Sequence, residues 1–271
     1  MAWAWPWLWR EHMSGLPHVA PWPALNVQAP ACFDLRDVEV RLGPAGRLVA
    51  LSAVTLQIAS GERVALVGAN GSGKSTLLRT LHGLQRAQAG TLSKPAHQRE
   101  AMLFQRPHML RLSAQNNIAL GLWLQGVPWA QARERALLAL ARVDMQDLAG
   151  RNARALSGGQ QQRLALARAW ALMPDVWLLD EPTASLDPHA KREVEALIAE
   201  FTTVPPLPGR RPPTLVFSSH NLGQVKRLAS RVIYLERGRI LADLPVNDFF
   251  NPTCLEAHSP QAQLFVKGET T

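Results

Sequence analysis

One octapeptide limits what this chain can fold into more than any other stretch of it. Gly68-Ala69-Asn70-Gly71-Ser72-Gly73-Lys74-Ser75 fits the G-x4-G-K-[ST] pattern. It follows a short apolar run at 64–67, bounded by Gly61 and Gly68, which reads as a buried strand. It opens the segment 73–81, which reads as a helix stopped by Gly83. Glycines here let the backbone curl so that successive N–H groups face inward, and the helix start adds its positive end. Gly68, Asn70, Gly71, Ser72 and Gly73 therefore form a candidate anion nest. Lys74 offers a compact charge to terminal phosphates, Ser75 a hydroxyl to Mg²⁺, and Thr76 a contact to the innermost phosphate. The bland alternative is a Gly-rich turn with a chance lysine, which leaves the flanking strand and helix unexplained.

A cradle alone serves kinases, GTPases, motors and transport ATPases alike. Residues 176–181, Val-Trp-Leu-Leu-Asp-Glu, end a second buried strand in two acids, the place where open α/β sheets hold their ligands. Asp180 suits a Mg²⁺ held through water, and Glu181 suits an attacking water to be oriented or deprotonated. Many strands end in solvated acids, so the pair gains weight only from its neighbours. Leu156-Ser157-Gly158-Gly159-Gln160 opens a helix over 157–172, stopped by Pro174. Its two glycines expose backbone N–H groups where the helix dipole is positive. Standing alone, it reads equally as a serine cap before a flexible Gly-Gly.

The remaining pattern alternates short apolar strands with helices, which predicts a parallel sheet covered on both faces. Strands are expected at 33–42, 102–104, 214–218 and 232–236, and a strand pair at 48–58. Helices are expected within 113–143, most clearly at 130–143, and after Asp187, with Pro188 in its first position. Residues 204–213, VPPLPGRRPP, read as a surface insertion. Lys and Arg exceed Asp and Glu by 29 − 21 = 8, which suits polyanions but reads first as a solvated basic surface. Cys32 and Cys254 are too few for a disulfide scaffold and fit a reducing compartment. No run of 18 apolar residues predicts a membrane span. Residues 1–31 stand apart, with Trp3, Trp5, Trp7, Trp9 and Trp22 among five prolines. The order of charge and apolar run is wrong for a signal peptide. The segment reads as a disordered extension, or as codons ahead of a start at Met13, before an interfacial anchor or a strand.

Taken together, these motifs resemble the ABC-transporter ATPase family over about residues 33–268. GANGSGKST resembles its Walker A motif, LSGGQ its signature, and VWLLDEP its Walker B with the catalytic glutamate. Ala184-Ser185-Leu186-Asp187 resembles the D-loop, Gln105 in LFQRP the Q-loop, and His220 in FSSHN the switch histidine. The resemblance implies an α/β P-loop NTPase fold over 32–268. It has a mainly parallel central sheet, an antiparallel β subdomain and an inserted helical subdomain at about 105–165. It implies ATP and Mg²⁺, with Lys74, Gln105, Glu181 and His220 catalytic and Ser75, Gln105 and Asp180 on the metal side. Ser157, Gly159, Gln160 and Asp187 would meet ATP held by the Walker A motif of a second copy, in a head-to-tail dimer. Further partners implied are integral membrane permease subunits and, indirectly, an extracytoplasmic substrate-binding protein, with no nucleic acid. The implied location is the cytoplasmic face of the inner membrane, as a peripheral subunit.

One departure concerns the base. The family stacks adenine on an aromatic residue near Leu42, and Phe33, the nearest aromatic, comes too early. Adenine stacking is then weak, replaced by an apolar contact, or supplied by the Trp-rich segment. A finer resemblance is to tungstate-importer ATPases, carried by FQRPHMLRLSAQNNIALGLWLQGVP and by the HNLGQ-x-x-RLA run. The DFFNP segment near the end resembles phosphate- and oxyanion-type importers. Apolar residues from Met109 to Leu124 fit a groove for a permease helix as well as core. The alternatives are the ATPase of a phosphate or molybdate importer, of an exporter or of a lipid-extraction system, or a non-transport ABC ATPase. About eighty residues between cradle and signature are too few for the coiled coil of repair members, and translation members carry two cassettes.

Overall fold

The computed structural model describes residues 31–43, 46–203 and 211–268. The Trp/Pro-rich segment and residues 204–210 of the Pro-rich insertion lie outside the described residues, and so do the expectations made for them. The chain runs β1 (Ala31–Leu42), β2 (Leu48–Ala59), β3 (Arg63–Val67), α1 (Lys74–His82), β4 (Ala89–Ser93) and β5 (Glu100–Leu103). Next come α2 (Ala114–Leu124), α3 (Trp129–Ala141), α4 (Gly158–Ala171), β6 (Val176–Asp180), α5 (Pro188–Thr203) and β7 (Thr214–Ser218). The chain continues through α6 (Leu222–Leu228), β8 (Arg231–Glu236), β9 (Arg239–Pro245), α7 (Val246–Phe249), α8 (Pro252–His258) and α9 (Pro260–Lys267).

Two sheets result. The central one is six-stranded in the order β5-β6-β7-β3-β8-β9. It is parallel except for β9, which pairs antiparallel with β8. The smaller one is β2-β1-β4 and antiparallel throughout. Side chains alternate along a strand, and here both faces of the central sheet are buried. Val64, Leu66, Val176, Leu178, Val216, Ile233 and Leu235 pack with α1 and the small sheet. Ala65, Val67, Trp177, Leu179, Leu215, Phe217, Val232 and Tyr234 pack with the helices on the opposite face. That double burial explains why β6 and β7 are apolar runs without a polar face.

The structure corrects several local readings. Residues 48–58 form one long strand, not a strand pair, because register shifts along β1 let it follow β2 over its whole length. The polar strand β4 carries almost no buried side chain and gave no apolar signal. β9 is set by a two-residue turn in which Arg237 and Gly238 both take positive φ, 47° and 77°, the conformation that tight hairpins require. α2 and α3 are separated at Gly126, φ 86°, and Pro128. α4 passes through residue 165, so the expected helical-subdomain boundary falls inside a helix.

Candidate functional site

The strand ends of β3, β6 and β7 lie side by side, with Leu66 paired to Ser218 and Asp180 paired to Ser218. The loop after β3 therefore rises next to the acids after β6. Its glycines are required by geometry. Gly68 has φ 144°, and a Cβ there would stand 2.1 Å from the Leu235 carbonyl oxygen. Gly73 has φ 109°, and a Cβ there would stand 2.7 Å from the Ala50 oxygen. Gly73 caps α1 without a side-chain hydrogen bond, which leaves the first N–H groups of the helix for a ligand. Gly71 has φ 78° and lies open beside exposed Asn70. Ser72 Oγ is buried without a hydrogen-bond partner, a polar group the fold itself does not use.

Lys74 is 5% exposed. Its Nζ donates to the carbonyls of Gly68 at 2.8 Å and Ala69 at 2.9 Å, which aims it across the mouth of the loop. Burial lowers its pKa below the ordinary lysine value, and the carboxylates of Glu181 and Asp180 oppose the shift. Ser75 Oγ donates to Asp180 Oδ1 at 2.8 Å. Ser218 Oγ donates to the same oxygen at 2.8 Å and accepts from the Glu181 N–H at 2.9 Å. Glu181 has φ 46°, a left-handed conformation that costs a non-glycine residue about 1 kcal/mol or more. The turn throws its carboxylate off the strand axis toward two partners. His220 Nε2 lies 2.5 Å from Oε1, and Gln105 Nε2 donates to Oε2 at 3.2 Å.

The structure thus brings Lys74, Ser75, Asp180, Glu181, Gln105 and His220 to one end of the sheet. Thr76 lies half-buried at the start of α1. The remaining predicted residues lie together elsewhere. Ser157 and Gln160 close a capping box on α4, with Ser157 Oγ accepting at 3.3 Å and Gln160 Oε1 accepting at 3.0 Å. They line a hollow of about 490 Å³ with Gly159, Arg163, Asp187 and His189, and no cradle residue lines it. Asp187 Oδ1 accepts from the N–H groups of Ala190 at 3.0 Å and His189 at 2.9 Å, and the former is the main cause of its depressed pKa. Phe33 is fully buried in the core and unavailable to a base, while Leu42 is half-buried.

Three polar neighbours of the site escaped sequence reasoning. Ser218 ends an apolar strand, where its hydroxyl looks like an accident of the edge. Thr183 and Gln224 are buried polar residues, 4% and 1% exposed, joined at 3.0 Å. A polar residue in the buried register of β7 and a glutamine four positions after His220 were the available signals.

An oxygen-rich site of Ser75 and Asp180 fits a small hard cation that keeps most of its ligands as water and phosphate. Among the described residues no cluster of three or more His, Cys, Asp or Glu forms a protein cage for a metal. The orphan Ser72 hydroxyl, the free N–H groups at Gly73 and the aimed Lys74 fit a polyphosphate.

Comparison with known proteins places these features in a family. Residues 51–184 match the family model described as ABC transporter. The nickel import ATP-binding protein NikO of Rhodobacter capsulatus is 39% identical over 226 residues, covering 76% of this chain and 87% of that protein. The aliphatic sulfonates import ATP-binding protein SsuB 1 of Mesorhizobium japonicum is 36% identical over 230 residues, 83% of each chain. Among solved structures, the ATP-binding cassette MJ0796, dimeric and bound to ADP and Pi in a post-hydrolysis state, superposes with a TM-score of 0.70. It is 27% identical and covers 79% of this chain and 98% of that one.

Proposed function

The chain belongs to the ABC-transporter ATP-binding family, and we propose that it works as a head-to-tail dimer that powers uptake of a small oxyanion, tungstate foremost, through a separate membrane permease. It is an ATPase whose hydrolysis is coupled to transport. The observation that carries the catalytic reading is the Glu181 carboxylate held between His220 and Gln105 and beside the Ser75–Asp180 pair.

In this reading Gly68, Asn70, Gly71, Ser72 and Gly73 wrap the phosphates with N–H groups and the Ser72 hydroxyl. Lys74 neutralises the terminal phosphates, and Thr76 meets the innermost one. Ser75, Asp180 and Gln105 would hold Mg²⁺, which when bound would supply Lewis-acid charge neutralisation to the phosphoryl oxygens. Glu181 orients the attacking water and accepts its proton, and His220 keeps that carboxylate in place. Phosphoryl transfer demands little covalent chemistry from the protein, so positioning and charge are the whole contribution.

The hollow holding Ser157, Gly159, Gln160 and Asp187 lies apart from the cradle, so a phosphate that reaches the start of α4 is brought by a second copy. No helix among the described residues is long and apolar enough to cross a membrane, so passage belongs to permease subunits, fed by an extracytoplasmic binding protein. Leu110, Leu112, Trp123, Leu124 and Trp129 are exposed on the helical insert. Trp123 and Trp129 meet edge to face at 6.4 Å. Such a patch suits an apolar helix of the permease at the cytoplasmic face of the inner membrane. Tungstate is supported by the likeness of residues 104–128 and 220–229 to tungstate-importer ATPases.

Elemental mass spectrometry of cells grown at trace oxyanion tests the cargo. A deletion strain is complemented with wild type or with Lys74→Ala, and tungsten, molybdenum, phosphorus and nickel are counted. A selective, Lys74-dependent loss of tungsten is expected. Unchanged levels of all four would end the oxyanion reading, while loss of nickel alone would move the cargo to a metal cation.

A further inference from the structure

Gln224 lies on α6, four residues after His220, and is 1% exposed. Its Oε1 accepts from Ser219 Oγ at 2.7 Å, and its Nε2 donates to Thr183 Oγ1 at 3.0 Å. Thr183 stands two residues after Glu181, and Ser219 one residue before His220. One buried carboxamide therefore ties the turn leaving β6 to the turn leaving β7, directly beneath the two side chains that meet at 2.5 Å.

The amide is not needed to build α6. The cap of that helix is the Asn221 side chain, which accepts from the backbone N–H of Gln224 at 3.1 Å and asks nothing of the Gln224 side chain. Ser218 does not substitute for the tie either. Its hydroxyl holds the Glu181 backbone and Asp180, whereas Gln224 acts on the histidine turn. Glu181 sits in a left-handed turn at φ 46°, and a strained turn keeps its shape only when its surroundings over-determine it. Leaving a buried amide unmet is costly, and here both of its hydrogen bonds go to residues flanking the reacting pair.

We infer that Gln224 is a positioning residue for hydrolysis: its carboxamide sets the separation of Glu181 and His220, and with it the geometry of the attacking water. The inference rests on the ATPase reading of that pair.

Steady-state ATP hydrolysis by the full chain tests it, with Gln224→Met to remove the ties at equal length and Gln224→Glu to restore them. A glutamate can accept from both hydroxyls. Gln224→Met is expected to lower kcat about tenfold or more with KM for ATP little changed, because small misplacements of reacting groups act on the chemical step. Gln224→Glu should recover most of the rate. The second readout needs no nucleotide: ¹⁵N signals of the His220 imidazole, assigned by their loss in His220→Asn, should shift in Gln224→Met and return in Gln224→Glu. Wild-type turnover by Gln224→Met with unmoved imidazole signals would overturn the inference, as would Gln224→Glu as slow as Gln224→Met. Should Gln224→Met not fold, Thr183→Val cuts the same tie from the other end and must reproduce the kcat loss. A wild-type chain no faster than Glu181→Gln would count against the ATPase reading, whereas the imidazole signals judge the positioning role on their own.

Discussion

In the proposed mechanism a single carboxylate concentrates the chemistry. Glu181 receives His220 at 2.5 Å and Gln105 at 3.2 Å, so both of its oxygens are engaged. Glu181→Gln keeps the shape and removes the proposed base. ATP binding should persist and dimers should accumulate on size exclusion, while turnover drops about 100-fold or more, the usual worth of a general base. Rapid turnover by that variant would remove Glu181 from its role. Cys32 shows the opposite use of burial. Its thiol donates to Gln98 at 3.2 Å in a closed setting, and burial pushes its pKa up to about 12. The thiolate is the reactive form, so alkylation of the native chain at neutral pH should stop at Cys254, with Cys32 labelled only after unfolding. Stability follows in sign: between the ordinary thiol range and about 12 the unfolded chain releases a proton that the native chain retains. This contribution to stability is full below that window and is lost as pH rises through it, readable in urea midpoints. Neither the strained φ of Glu181 nor the hydroxyl of Ser218 was legible from sequence, since both depend on strands brought together from distant parts of the chain.

At the level of elements, the legible features were those with local causes. The cradle glycines, the Ser157 cap and the Asp187–Pro188 helix start each carry their own turn or cap chemistry. β4 and β9 were not legible, because one is a polar edge strand and the other is fixed by pairing with β8. The α4 start is a structural cap and, in the proposed dimer, also a phosphate contact, and a substitution can separate the two. Ser157→Arg removes the cap and fills the hollow shared with Asp187 and His189. Loss of the cap costs about 1 kcal/mol, which leaves the monomer folded. ATP binding measured by nucleotide fluorescence should therefore survive, while hydrolysis falls to background because the second copy cannot close on the phosphate. Normal hydrolysis would argue against the sandwich.

For the molecule as a whole, the alternation of apolar strands and helices gave the α/β class and the covered parallel sheet. The order β5-β6-β7-β3-β8-β9 came only with the structure. That order seats the cradle after β3 next to β7 and one strand from β6. Asp180, about a hundred residues away, thereby meets Ser75. The same packing bears on the Trp-rich segment. Cys32 and Phe33 are already buried against the central sheet, and β1 pairs along its length with β2. Among the described residues, Cys32 and Phe33 already share one apolar cluster with β2, β3 and α1. Deleting residues 1–30 should leave the melting temperature and kcat near wild type, with rates changed by no more than about twofold. KM is the sensitive quantity, because Phe33 is locked in the core and the half-buried Leu42 carries no aromatic ring to stack on a purine. If the indoles of the segment supply the missing stacking, KM for ATP rises on deletion while kcat holds. Parallel titrations with ATP and GTP then show the base preference collapsing along with it. An unchanged KM for both nucleotides would assign base contact to the β1–β2 hairpin alone.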